Sequence, residues 1–264
     1  MKLLLAAVFC VVSFAQSIPF PGPGTPTTVP FSPTSLSGIQ LFWSANVGSN
    51  CGGACSDGNT MTSWADQSGL GNNGTNGAGA GGFACGTAPV YHTAQLSGLP
   101  AATFGGTNTC MELTSAINLQ TASTIFAVVK LAATAGTYTV IGGGANALAY
   151  WMNGGGSGKE QGLIKTGIAV LGNGTAAADT SWHQINASYD NTTATFQIDA
   201  ASDGTAAPGV AITANEVAVG VNLGAGGDWL NGQIAELIVY NRVLTGPEKT
   251  QVTNWIKAKY PALP

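Results

Sequence analysis

The stretch Thr124-Ile-Phe-Ala-Val-Val-Lys130 is apolar at every position between its polar ends. A strand with one wet face alternates, so a continuous apolar run of this length predicts a central strand covered on both faces. Thr193 to Asp199 reads the other way. Ala194, Phe196 and Ile198 fall on one face and Thr195, Gln197 and Asp199 on the other, as in a half-solvated strand. Both kinds of strand together require sheets stacked in layers.

Working outward, strand signals separated by Gly-rich turns recur at Gly38 to Trp43, Ala101 to Phe104, Tyr138 to Ile141, Gly162 to Ile164, Ala169 to Leu171, Trp182 to Tyr189, Glu216 to Val221 and Gln233 to Tyr240. Many short strands of this sort predict an all-β sandwich. One helix is well specified: Thr245-Gly-Pro-Glu248 forms a capping box, and Val252, Trp255, Ile256 and Tyr260 follow at helical spacing until Pro261.

Composition narrows the function. Of 264 residues, only 12 are acidic and 8 basic, a charged share of 8% against about 25% in ordinary proteins. A net charge of −4 with no Lys/Arg cluster argues against nucleic acid or anionic membrane as partner. The 45% hydrophobic content is nonetheless enough for a real core, with the balance made up by small polar residues and 38 glycines.

Met1 to Ser17 combines one Lys, an apolar run from Leu3 to Val12 and the small residues Ser13 and Ala15, which predicts a signal peptide over 1–15 and a secreted, extracellular product. No stretch has the roughly 20 apolar residues needed to insert in a membrane. Six prolines between Ile18 and Pro33 predict an extended tether over 16–35, leaving 36–264 as one domain. Cys10 departs with the signal, so Cys51, Cys55, Cys85 and Cys110 remain. Two disulfides are expected, and short loop closure favours Cys51–Cys55 and Cys85–Cys110 among three pairings. A four-cysteine zinc site is the rival, although the paired Cys-x2-Cys knuckles are missing.

Three segments in this order resemble the laminin G-like jelly rolls of the concanavalin A-like lectin/glucanase superfamily. Leu41-Phe-Trp-Ser-Ala45 followed by Thr62-Ser-Trp-Ala-Asp-Gln-Ser-Gly69 and Gly71-Asn-Asn-Gly-Thr75 is similar to the family's opening strand and its W-x-D-x-S-G turn. Ser181-Trp-His-Gln-Ile185, Ser188-Tyr-Asp190 and Thr195-Phe-Gln-Ile-Asp199 are similar to its central hairpin. Leu230-Asn-Gly-Gln-Ile-Ala-Glu-Leu-Ile-Val-Tyr-Asn-Arg-Val-Leu244 is similar to its closing strand, with Ala235 where Asp is common and Ala200-Ala201 where the hairpin usually has Gly. The resemblance runs from about Leu36 to the C-terminus. It implies a two-sheet antiparallel jelly-roll sandwich with a short C-terminal helix.

The superfamily's glucanases carry paired carboxylates in an E-x-D-x-x-E strand. No such pattern exists here: Glu112, Glu160, Glu216 and Glu236 each stand alone. His92 and His183 lack a Gly-x-Ser-x-Gly elbow or a His-Glu-x-x-His partner, and His183 beside Trp182 reads as a structural hydrogen-bonder. The expectation is a protein that is not an enzyme, a carbohydrate-binding or adhesive module whose partner is a glycan or cell-surface polysaccharide. The alternatives are a glycan-cleaving hydrolase or lyase using acids from distant strands, and a purely structural surface protein.

Sugar recognition uses an aromatic face with nearby amides and carboxylates, for which Tyr150, Trp151 and Asn153, and Asp228 with Trp229, are the candidates. Trp151 reads equally as core, sharing a face with Ala149. Asp66, Asn72 and Asn73 offer hard oxygens in a Gly-rich turn, which suits Ca²⁺, while the plainer reading has Asp66 and Ser68 capping the turn. No other cofactor is indicated. Glu236 shares a face with Ile234, Ile238 and Tyr240, which predicts a buried carboxylate paired with Arg242 or a backbone donor, or else bound to metal.

Overall fold

A computed structural model describes residues 30–264 except 84, 153–156, 168 and 224–226. The predicted signal segment and most of the Pro-rich stretch lie outside the described residues.

Two antiparallel nine-stranded sheets stack face to face. The first runs Ala201–Ala206, Ala194–Ile198, Trp182–Tyr189, Ser123–Leu131, Asn231–Tyr240, Leu99–Gly105, Val90–Leu96 and Asn59–Thr60, and Ile39–Ser44 also pairs with Asn231–Tyr240. The second runs Ala169–Asn173, Gly162–Lys165, Leu148–Met152, Tyr138–Gly143, Glu216–Val219, Met111–Ile117, Gly74–Thr75, Ser63–Trp64 and Ser49–Asn50.

Between the sheets, Ile125, Ala127, Val129, Ile185, Ala187 and Phe196 meet Met111, Leu113, Val140, Leu163 and Val219 in one core. On the outer side of the first sheet, Phe126, Val128, Ile238 and Tyr240 are covered by Val252, Ile256 and Tyr260 of the helix Gly246–Lys259. The run at 125–129 is therefore apolar throughout because odd positions face the second sheet and even positions face the helix. The helix starts at the expected capping box, with Thr245 accepting from the Glu248 amide and Glu248 Oε2 accepting from the Thr245 amide at 2.8 Å. Trp255 is half-buried and meets Phe42 edge-on, with ring centroids 5.5 Å apart.

Cys51 bonds to Cys55 and Cys85 to Cys110, as loop length favoured. The folded body begins ahead of the expected boundary at Leu36. Phe31 packs under the helix, Pro33–Ser35 forms a 3-10 turn, and the Tyr240 hydroxyl donates to the Pro33 carbonyl at 2.9 Å. Among the described residues no helix is long and apolar enough to cross a membrane.

Candidate functional site

The expected sugar-binding aromatics lie in three separate places. Tyr150 is fully buried in the main core, its hydroxyl donating to Gln161 Oε1 at 2.5 Å. Trp151 is 5% exposed and packs with Ala149 and Ile164, because the strand Leu148–Met152 is buried at all five positions. Neither offers a face to a ring, so the expected platform at this pair is corrected to core. Asn153 lies outside the described residues. Asp228 and Trp229 are half-buried, and Trp229 packs against Phe83 beside the Cys85–Cys110 bridge. Burial pushes the Asp228 carboxyl up from its ordinary value, against a hydrogen bond with Asn222.

Asp66 organises the turn that carries it. Its Oδ1 accepts from the amides of Phe42 and Ser68, both at 2.9 Å, and its Oδ2 from the Ser68 hydroxyl at 2.5 Å and the Asn72 amide at 3.0 Å. Asn72 donates to the Gln40 carbonyl at 2.7 Å, and Asn73 Oδ1 accepts from the Asp66 amide at 2.8 Å. Both carboxylate oxygens are thus occupied by protein donors, the arrangement of a turn cap.

Glu236 is buried as expected, but its partners come from the terminal helix rather than Arg242. Lys259 Nζ lies 2.8 Å from Oε2, and the Tyr260 hydroxyl donates to the same oxygen at 2.5 Å. Arg242 instead makes a two-pronged pair with Glu248, at 2.9 and 2.7 Å.

Two features that sequence reading did not assemble stand out. The first is a cleft of about 560 Å³ lined by Gln95, Thr103, Phe104, Gly105, Lys130, Leu131, Ala132, Thr180, Asn231, Gly232 and Gln233. Its floor is a polar row across three neighbouring strands, with Gln233 opposite Thr103 on one side and Lys130 on the other. Gln233 Nε2 donates to Thr103 Oγ1 and to Gln95 Oε1, each at 3.0 Å. The signal was present in the sequence: Thr103, Lys130 and Gln233 interrupt strands whose other positions are largely buried.

The second feature gathers Glu160, Asp179 and His183, each offering a ligand atom within 4.8 Å of the others. His183 opens the strand Trp182–Tyr189, with Nδ1 2.6 Å from Asp199 Oδ2 and Nε2 3.1 Å from Asp179 Oδ1. Asp199 sits at φ +49°, a left-handed conformation that Asp tolerates, and its Oδ1 accepts from the Gln184 amide at 2.9 Å. The hydrogen bond to Asp199 raises His183 to about 9, overcoming its burial. Burial raises Glu160 to about 7, opposed by the Asp179 amide and by His183. Asp179 is held below the usual carboxylate range: its partial burial works upward, but the Ser181 amide and His183 outweigh it. Reading the acids singly along the chain hid this cluster, because it draws on three loops and a strand end.

Thr180 joins the two features, since it lines the cleft and directly follows Asp179.

Residues 104–248 match the family described as the concanavalin A-like lectin/glucanases superfamily. Among curated proteins none matches the chain. Among solved structures, domain 4 of AbnA, a GH43 extracellular arabinanase from Geobacillus stearothermophilus in complex with arabinotriose, is similar at 17% identity and a TM-score of 0.59, over 82% of this chain and 97% of that one. An arabinofuranosidase complexed with arabinofuranosyl-alpha-1,2-xylobiose is similar at 15% identity and a TM-score of 0.53, over 76% of this chain and 51% of that one. A Trypanosoma rangeli sialidase in complex with the inhibitor DANA is similar at 11% identity and a TM-score of 0.52, over 83% of this chain and 33% of that one. The chain thus spans about half of the arabinofuranosidase and a third of the sialidase. At these identities the likeness is one of fold. The expectation that the chain is not an enzyme is corrected: the three similar structures named above are glycosidases or a domain of one.

Proposed function

The chain belongs to the concanavalin A-like lectin/glucanases superfamily, and from that premise we propose that it engages a neutral glycan outside the cell, seated in the cleft over Thr103, Gln233 and Lys130. The observation that carries this reading is the convergence of Gln95, Asn231 and Gln233 amides with Thr103 and Thr180 hydroxyls in one cleft. Amides and hydroxyls both donate and accept, which matches a ring of sugar hydroxyls. About 560 Å³ lies within the usual span of small-ligand sites. The two disulfides fit an oxidising, extracellular setting.

A second reading, cleavage of the bound glycan, is favoured by one observation. Two carboxylates and an imidazole cluster at Asp179, next in sequence to Thr180 of the cleft.

Calorimetry against a panel of neutral oligosaccharides that includes arabinotriose tests the first reading, and a reducing-end assay on the same panel tests the second. Gln233→Ala should weaken binding about tenfold, the loss of roughly one hydrogen-bonding group, with the circular dichroism unchanged. Unchanged affinity in a folded Gln233→Ala variant would place the sugar elsewhere. Reducing ends released by wild type but not by Glu160→Gln would establish cleavage.

A further inference from the structure

Glu160 is wholly buried, yet its carboxylate is only half satisfied. Oε2 accepts from the Asp179 amide at 3.0 Å, whereas Oε1 has no hydrogen-bond partner among the described residues. A buried carboxylate oxygen without a donor is costly unless a cation or proton meets it. Near this carboxylate stand Asp179 and His183, with one ligand atom from each of the three residues within 4.8 Å of the others.

His183 is held as metal-binding histidines are held. Its Nδ1 is fixed by Asp199 Oδ2 at 2.6 Å, which turns Nε2 toward the cluster, 3.1 Å from Asp179 Oδ1. A carboxylate behind one ring nitrogen orients the imidazole and strengthens the other nitrogen as a ligand. Asp199 is itself held, by the Gln184 amide on Oδ1 at 2.9 Å and by Lys257 Nζ on its backbone carbonyl at 3.3 Å. The side chain of Asp179 is 53% exposed, so the cluster has an entry path from solvent.

We propose that Glu160, Asp179 and His183 form a binding site for one divalent first-row transition-metal ion of the Zn²⁺ type, with Asp199 as the residue that positions His183. The donor set decides the class. Two carboxylates and one imidazole suit zinc and its neighbours, bound at about 2.0–2.2 Å with an open position. Calcium takes six to eight oxygens, and a nitrogen donor with so few oxygens does not suit it. The site is independent of the sugar assignment, because metal uptake is read without any glycan.

The mature protein, treated with chelator and exchanged into buffer, is titrated with Zn²⁺ and separately with Ca²⁺ by calorimetry, and the site is also filled with Co²⁺ to record its visible spectrum. One Zn²⁺ per chain is expected, with no Ca²⁺ heat. Glu160→Gln and His183→Gln should each weaken Zn²⁺ by more than about tenfold, and Asp199→Asn by about 10- to 100-fold, with a shifted Co²⁺ spectrum and unchanged circular dichroism. Asn tolerates the left-handed backbone at 199, so Asp199→Asn keeps its fold and decides the matter if His183→Gln does not. No Zn²⁺ uptake by wild type, or uptake that folded Glu160→Gln and Asp199→Asn leave unchanged, would overturn the proposal.

Discussion

Glu236 and Glu160 are the same residue type at the same zero exposure, and the protein treats them in opposite ways. Around Glu236 every need is met: Lys259 approaches both oxygens, at 3.1 and 2.8 Å, Tyr260 donates to one of them, and Lys259 also reaches Ser44 Oγ at 2.7 Å. Burial pushes this carboxyl up, and Lys259 pulls it back. The knot ties the terminal helix to the strands Ile39–Ser44 and Asn231–Tyr240. Around Glu160 the only hydrogen-bond donor among the described residues is one backbone amide, and near the carboxylate stand an exposed acid and an imidazole. A buried charge that is fully paired holds structure together. One left incomplete beside ionisable neighbours breaks a local rule, and such breaks concentrate where function resides.

The largest effect should come from opening the closed knot. Lys259→Met leaves Glu236 buried without its counter-charge and should cost about 3–5 kcal/mol in urea unfolding. A loss below about 1 kcal/mol would erase the contrast, making Glu236 as incomplete as Glu160. Asp66 extends the satisfied class to a turn. Asp66→Ala strips acceptors from three amides and a hydroxyl and should cost about 2–3 kcal/mol. Added Ca²⁺ should leave the wild-type melting temperature unchanged, and a rise would make Asp66 a ligand rather than a cap.

Glu216 sharpens the incomplete class. It is wholly buried, Oε1 accepts from the Leu148 amide at 2.9 Å, Oε2 has no hydrogen-bond partner among the described residues, and burial raises it to about 8. A carboxyl with a raised folded value keeps its proton in the native state while the unfolded chain has released it. Its contribution therefore weakens stability as pH rises from about 4.5 to about 8 and is level above that. Glu216 should add up to about 1.4 kcal/mol per pH unit to the slope in that window, beside the contributions of Glu160 and His183, and Glu216→Gln should remove that share. A wild-type profile with no decline in that window would remove Glu216 from the class.

The smallest stability change belongs to Glu160→Gln, within about 1 kcal/mol of wild type, because an under-partnered buried carboxyl contributes little to holding the fold. A loss as large as that of Lys259→Met would mean that Glu160 is structural after all.

The fold was legible because its strongest signals are local. The continuous run at 125–129, the capping box at Thr245 and the alternation after Thr193 each declare their own geometry. The strands that escaped notice, Val90–Leu96, Met111–Ile117 and Ala201–Ala206, carry exposed or polar residues at consecutive positions, and sheet pairing rather than pattern fixes them. Leu148–Met152 escaped for the opposite reason. Trp151 there reads equally as platform or core, and only the covering of both sheet faces decides for core. The candidate site was legible only in pieces. Glu160, Asp179, His183 and Asp199 are ordinary residues taken singly, and their meaning comes from the register that sets Ile185 opposite Ile198 and so brings Asp199 beside His183.

The Cys85–Cys110 bridge has a consequence for survival among proteases. It encloses the hairpin of Val90–Leu96 and Leu99–Gly105, whose exposed turn at Ser97 and Gly98 is the sort of loop tip that secreted proteases cut. Gln95 lies on one side of that turn and Thr103 on the other, and both line the cleft. A nick there would leave two chain ends joined by sulfur, with the halves of the cleft still tethered and still paired within the sheet. Cleavage at this exposed hairpin would scar the molecule without dividing it.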